Sequence, residues 1–285
     1  MRAYVPGYEV VAPGGLDEVL QLLADKPGVY KPLAGGTDVM VLYNAGKLTH
    51  TRYVSIAGIA ELSGIEVKAN EVKLGALATY TDVRHHPVLR QEFPMLSQAA
   101  AESGAVAIQN RGTIGGNIAN ASPAADTPPA LLAYDAELEV VSKDGSRRVP
   151  YRGFHTGYKQ MELEPQELIA AVYVARKPGR SHYYRKVGTR KAQAISKVCI
   201  AASTIISDGT ATQVGMAMGS VAPIVCVCSK TMALLEGKPV GADLEKEIRQ
   251  AVLSDISPID DIRSNRDYRL AVAANLAVDF WKSLS

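Results

Sequence analysis

The stretch RGTIGGNIANASPAADTPP, residues 111–129, sets Gly112, Gly115 and Gly116 within five positions and continues through small and hydroxylated residues to Asp126 and two prolines. Glycine loses more conformational freedom on folding than any other residue, so bare backbone of this density implies a sharp turn or something lying close to the main chain. A second glycine loop, KPLAGGTDV at residues 31–39, stands between a strand and a helix. There Thr37 and Asp38 fall where a helix begins, and free N–H groups with the helix dipole favour an anion such as phosphate.

Taken singly, each loop has an ordinary explanation. In chain order, the first loop, KPLAGGTDV, reads as a tight turn and helix cap, and the second, TIGGNIANASPAAD, as a β-bulge or close backbone packing with Asn117, Asn120 and Ser122 capping local turns. Neither matches Gly-x-x-x-x-Gly-Lys-Ser/Thr or Gly-x-Gly-x-x-Gly. Taken together they fit a dinucleotide diphosphate, which has more acceptor oxygens than one loop can satisfy. Charge-assisted bonds of about 1.5–3 kcal/mol each, roughly four or five of them, would offset the cost of ordering the ligand. Asp126 would then accept from a ribose hydroxyl or from loop N–H groups.

A chain of 285 residues is long for one core, which implies two or three compact units. Lys and Arg number 31 against 29 Asp and Glu, so no large single-sign field draws the chain onto nucleic acid. The N-terminus lacks a signal-peptide core and no apolar run reaches a membrane-spanning length, which implies neither export nor a membrane span. Cys199, Cys226 and Cys228 make no disulfide framework, and a reducing cytoplasm is the expected location.

Three units are expected. Residues 1–57 form a small α/β subdomain: LDEVLQLLADKPG reads as a helix, VYKPLAG as a strand, TDVMVLYNAGK as a helix opened by Thr37, and RYVSI as a strand. Residues 58–175 are mixed, with a hairpin around Ala69-Asn70, helices over TDVRHHPVLRQEF and PMLSQAAAESGA separated by Pro94, and a hairpin at Asp144-Gly145. After the polar joint RKPGRSH, residues 176–285 give a hairpin turning at Asp208-Gly209 and three helices, an antiparallel sheet backed by helices.

KPLAGGTDV followed by QNRGTIGGNIANASPAADTPPALLAYDAELEV resembles the flavin-binding subunit of molybdenum hydroxylases, the xanthine dehydrogenase and carbon monoxide dehydrogenase family. The resemblance runs through GFHTGYKQMELEPQELIAAVYV, YYRKVGTRKAQAISKV and RSNRDYRLAVAANL, essentially the whole chain. It implies an α+β architecture: a two-part FAD-binding fold of the p-cresol methylhydroxylase/xanthine dehydrogenase type plus a C-terminal antiparallel sheet with helices. Lys31, Leu33, Ala34, Gly35, Gly36, Thr37 and Asp38 map onto the loop that wraps the diphosphate of FAD. Thr113, Gly116, Asn117, Ala119, Asn120, Ser122 and Asp126 map onto the loop that binds the diphosphate and the sugar chain. Ile169 and Lys186 correspond to positions beside the flavin ring, and Lys186 is the residue expected to tune it, as a cation near N1 or O2 favours the reduced anionic ring.

The resemblance further implies partners: an iron-sulfur small subunit with 2Fe-2S clusters and a large subunit with the molybdenum cofactor, assembled as a dimer of heterotrimers. Electrons would pass from molybdenum through the clusters to FAD and on to NAD+ or another acceptor, with a purine or other N-heteroaromatic such as xanthine as substrate. GTRKAQAISK departs from the acidic loop of some relatives, since Arg190, Lys191 and Lys197 make it basic. Two alternatives stand beside this reading, a self-contained flavin oxidase or reductase and a non-enzymatic nucleotide-binding module. His85-His86 lacks nearby ligand partners and reads as a surface pair rather than a metal site. Cys226 and Cys228 are expected on opposite faces of a strand, and Tyr158 is a candidate for packing on the flavin ring.

Overall fold

A computed structural model describes residues 7–190 and 193–285. The chain begins with β1 (Glu9–Val11), α1 (Leu16–Asp25), β2 (Lys31–Leu33), α2 (Thr37–Asn44) and β3 (Arg52–Ser55). These strands form a parallel sheet in the order β1-β3-β2. Pro32, which has no N–H for a ladder, is tolerated because β2 lies at the edge. Helix α1 buries Val19, Leu20 and Leu23 at helical spacing against Val54, Ile56 and Ile59. Helix α2 is capped by Gly36, with φ at +74°, and Thr37 is its first helical residue rather than its cap.

Next come β4 (Ile65–Val67), β5 (Glu71–Gly75), α3 (Tyr80–His85), α4 (Pro87–Glu92), α5 (Pro94–Glu102), α6 (Val106–Gln109), α7 (Ile114–Ala119) and α8 (Thr127–Ala133). They are followed by β6 (Glu137–Ser142), β7 (Gly145–Pro150), the short hairpin β8 (His155–Gly157) and β9 (Gln160–Met161), and β10 (Leu168–Ala175). The antiparallel sheet β4-β5-β10-β6-β7 has β10 at its centre, where seven consecutive residues from Leu168 to Val174 are buried. The helix expected over TDVRHHPVLRQEF is two helices, because Pro87 forces His86 into extended backbone with φ −67° and ψ 122°.

The last part contains β11 (Arg180–Val187), β12 (Val198–Ser207), β13 (Thr210–Gly219), β14 (Cys226–Val227), α9 (Ser229–Leu235), α10 (Glu245–Asp255) and α11 (Arg266–Lys282). The expected polar joint is shorter than its sequence suggests, since Arg180, Ser181 and His182 already pair with β12. Alternation along the strands gives β12 and β13 two buried faces. Val198, Ile200, Ala202, Met216 and Met218 pack toward the helices α9 to α11, while Cys199, Ala201 and Ala217 join the central core around α5 and α8. Every residue of α8 is buried, as a helix that is apolar all round must be.

The cysteine expectation is corrected by the same alternation. Residues two apart share a strand face, and Cys228 already caps α9. The Cys228 thiol donates to the carbonyl of Cys226 at 4.0 Å, and the Cys226 thiol reaches the carbonyl of Asp255 at 3.2 Å.

Candidate functional site

The two glycine loops meet. A Cβ built on Gly35 would stand 1.7 Å from the carbonyl oxygen of Arg111, so the backbones of the first and second loops touch where only glycine fits. On the far side of this contact, Ala34 approaches the place where a Cβ of Gly116 would lie, at 3.9 Å. The N–H groups of Thr37, Asp38 and Val39 belong to the first turn of α2, and no side chain caps them. Uncapped N–H groups at a helix start favour an anion.

The second loop uses its glycines differently from the sequence expectation. Residues 113–119 form a helical turn, not a bulge, and its first N–H groups are already satisfied. Ile114 donates to Ala78, Gly115 to Ala76, and Gly116 to the hydroxyl of Thr113, which is the N-cap. The glycines here serve close approach. A Cβ on Gly115 would lie 2.6 Å from that of Ala76, and one on Gly112 would lie 2.6 Å from the Tyr80 ring. The free donors of this loop are therefore side-chain amides and a hydroxyl. Asn117 accepts from Thr127 at 2.6 Å through its oxygen, which leaves its NH2 group to donate, and Asn120 and Ser122 follow at the C-terminal end of α7.

Asp126 and Lys186 are brought together rather than left facing a ligand separately. The Lys186 ammonium lies 2.7 Å from one carboxylate oxygen of Asp126 and 2.8 Å from the carbonyl of Glu102. The other carboxylate oxygen accepts from Ser196 at 2.7 Å. Burial pushes the Asp126 carboxyl above its usual range, while Lys186, Ser196 and Ser103 pull it back down. With Lys186 and Ser196 each donating at 2.7 Å, the carboxylate form is the one this geometry holds. Burial likewise raises Glu102, against the opposing charge of Lys186.

Other expected residues fall elsewhere. Ile169 is 3% exposed in the central core with Ile114 and Ile118. Lys31 is exposed on β2, and Leu33 and Ala34 are partly buried beside it. Ala119 is exposed on α7. Tyr158 is 65% exposed. In the basic loop, Arg190 donates to the carbonyl of Gln193, Lys197 lies over the Tyr268 ring, and Lys191 falls outside the described residues. Among the described residues, no three His, Cys, Asp or Glu side chains converge as a metal site would require.

Two residues at the cradle are not singled out by sequence reasoning. Tyr80, 6% exposed, carries the second loop on its backbone N–H, which donates to Gly112. Burial raises its phenol, and the charges of both Asp38 and Asp126 add to that. Lys159, at the tip of the β8–β9 hairpin, places its ammonium 2.6 Å from the carbonyl and 2.7 Å from the side-chain oxygen of Asn120. The available signal for Lys159 is its place in a turn between two short strands; nothing in its spacing from the glycine loops points to the contact.

The donors present fit a dinucleotide. Uncapped N–H groups at α2, amides at Asn117 and Asn120 and the Ser122 hydroxyl stand on two loops whose backbones touch at Gly35 and Arg111, with the Lys159 ammonium beside Asn120. Comparison with known proteins agrees with this chemistry. Residues 6–176 match the FAD binding domain in molybdopterin dehydrogenase, and residues 182–284 match the CO dehydrogenase flavoprotein C-terminal domain. The chain is 32% identical over 260 residues to the xanthine dehydrogenase FAD-binding subunit of Escherichia coli O157:H7, covering 90% of this chain and 88% of that one. It is 30% identical over 252 residues to the nicotinate dehydrogenase FAD-subunit of Eubacterium barkeri, covering 86% and 84%. A solved structure of carbon monoxide dehydrogenase from Hydrogenophaga pseudoflava superimposes with a TM-score of 0.91 at 27% identity, covering 95% of both chains. The chain thus belongs to the family of FAD-binding medium subunits of the molybdenum hydroxylases.

Proposed function

We propose that this subunit carries electrons within a multi-subunit molybdenum hydroxylase, receiving them from 2Fe-2S clusters on a small subunit and delivering them to NAD+ or another acceptor. A large subunit with the molybdenum cofactor would oxidise a purine or other N-heteroaromatic such as xanthine, and the assembly would be a cytoplasmic dimer of heterotrimers. The observation that carries the reading is the contact of Gly35 with the Arg111 carbonyl, which joins two loops into one cradle. The substrate class is supported by relatives at 30% identity or more whose names are those of xanthine and nicotinate dehydrogenases. The need for partners is supported by α2, where Met40, Val41, Leu42 and Tyr43 are all at least 39% exposed, an apolar surface of the kind subunits cover.

Bound FAD supplies a carrier that accepts an electron pair and can release its electrons one or two at a time. The chain's own residues bind and orient it. The first turn of α2 and the amides of Asn117 and Asn120 take the diphosphate, while Thr113 holds the helical turn that presents those amides. Lys186 sets the electrostatics at the ring end, and its pairing with Asp126 makes it one end of a fixed dipole rather than a free cation. Ser196 ties the basic loop to the same carboxylate, so ring environment and loop position are linked.

Affinity purification of the tagged chain from its own cells, followed by metal analysis and flavin absorbance, tests this. Molybdenum, iron and one FAD per chain, with purine-dependent NAD+ reduction by the complex, are the expected result. Substrate oxidation by the isolated chain would favour a self-contained oxidase, and a colourless chain that FAD does not reconstitute would favour a binding module.

A further inference from the structure

Lys159 sits where a lysine is locally unfavourable. Its φ is +59°, in the left-handed region that side chains other than Gly and Asn adopt at a cost of order 1 kcal/mol. The turn conformation alone would select glycine or asparagine. The side chain folds back from the turn so that its ammonium reaches both oxygens of Asn120. Those partners are neutral. Among the described residues no carboxylate comes within ion-pair distance of Lys159, whereas the other lysine at this site, Lys186, is fully paired. Lys159 as a whole is exposed, yet its ammonium is crowded enough that lost hydration lowers its pKa, with the charge of Asp38 opposing.

The position matters as much as the charge. Asn120 ends the second loop's helix, and the ammonium bonded to it also feels the charge of Asp38 in the first turn of the first loop's helix. An aspartate at the mouth of a diphosphate site repels the ligand it should admit, and a cation at this point offsets it. Support of the α7 terminus is already provided by His155, which donates to the carbonyl of Ile118 at 2.9 Å. A second tether from the same hairpin adds little to fold stability.

We infer that Lys159 supplies the countercharge for the cofactor's diphosphate, its ammonium held at the seam of the two loops by Asn120 until the anion takes its place. This rests on the reading of the loops as an FAD site.

The test uses the full chain stripped of flavin and titrated with FAD, and in parallel with riboflavin, which has the ring but no phosphate, each at several salt concentrations. Lys159→Met should weaken FAD at least tenfold at low salt and flatten the salt dependence of binding, because a screened attraction has been removed. Riboflavin binding should change less than twofold, and Lys159→Arg should restore FAD affinity to within a few-fold of the wild type. Equal losses for FAD and riboflavin, or an FAD affinity for Lys159→Met within twofold of wild type with the same salt dependence, would overturn the countercharge role while leaving the FAD site intact. A wild-type chain that binds no FAD would instead refute the loop reading itself.

Discussion

Lys186 and Asp126 form a buried ion pair of 2.7 Å that joins β11 to the residue immediately preceding α8, with their side chains 6% and 12% exposed. The pair couples the C-terminal sheet to the second glycine loop, since Asp126 closes that loop and Ser196 reaches it from the basic segment. Two charges in this setting lose their hydration, and each is tolerated only because the other is present.

Removing one partner should therefore be far worse than removing both. Lys186→Met leaves a buried carboxylate with hydroxyl partners only, and should destabilise the chain by about 3–5 kcal/mol in urea unfolding. The double variant Lys186→Met with Asp126→Leu should recover part of that loss. Single and double variants of equal stability would mean that the pair is solvated in solution.

Gly35→Ala should part the two loops. The added methyl group would meet the backbone of Arg111 at 1.7 Å from its oxygen and 2.5 Å from its carbon, and neither atom can rotate away. Purified variant protein should carry little or no flavin. Gly58→Ala, where a Cβ meets nothing within 4 Å, should keep its full complement, with stability unchanged or raised by about 0.4–1 kcal/mol. Flavin absorbance per mole of chain distinguishes the two, and full occupancy in Gly35→Ala would show that the loops do not grip a common ligand.

The stability of the chain should fall on mild acidification because of His182. Its Nδ1 accepts from the Tyr134 hydroxyl at 3.0 Å, and that hydroxyl in turn accepts from the N–H of Met95, so the ring is held neutral. Burial, with the Arg180 charge adding to it, lowers its pKa from 6.5 to about 4. The folded state thus binds fewer protons than the unfolded one within this window. The stabilisation is complete above pH 6.5 and is lost as pH falls toward 4, by on the order of 1–2 kcal/mol after solvent screening. His182→Gln should flatten the curve of unfolding free energy against pH over that interval, and an unchanged slope would contradict the neutral assignment.

Much of this fold is legible in the sequence because period and turn chemistry act locally. The hairpins at Asp144-Gly145 and Asp208-Gly209 form where expected, and α1 follows from Val19, Leu20 and Leu23 at helical spacing. Errors arise where a contact distant in sequence decides. Gly115 and Gly116 invite an open, N–H-lined loop, but the carbonyl of Ala76 and the hydroxyl of Thr113 claim those donors. Tyr80 and Lys159 reach the cradle from positions 32 and 39 residues away from their partners Gly112 and Asn120, and no spacing rule encodes such contacts.

Close packing at the seam between α8 and β13 gives the last prediction. Gly215 on β13 lies against α8 so tightly that a Cβ would stand 2.0 Å from the carbonyl oxygen of Ala133. Its φ is not in the left-handed region, so backbone conformation does not require glycine there; the neighbouring helix does. Gly215→Ala must push α8 away from the sheet, in a core where overpacking costs about 1–3 kcal/mol and sometimes more. Because Asp126 directly precedes α8, the shift also disturbs its bond to Lys186. Thermal unfolding should show a lowered midpoint, and flavin affinity should fall with it although Gly215 touches neither glycine loop. A variant with lowered stability and unaltered FAD affinity would show that the seam and the cradle are mechanically independent.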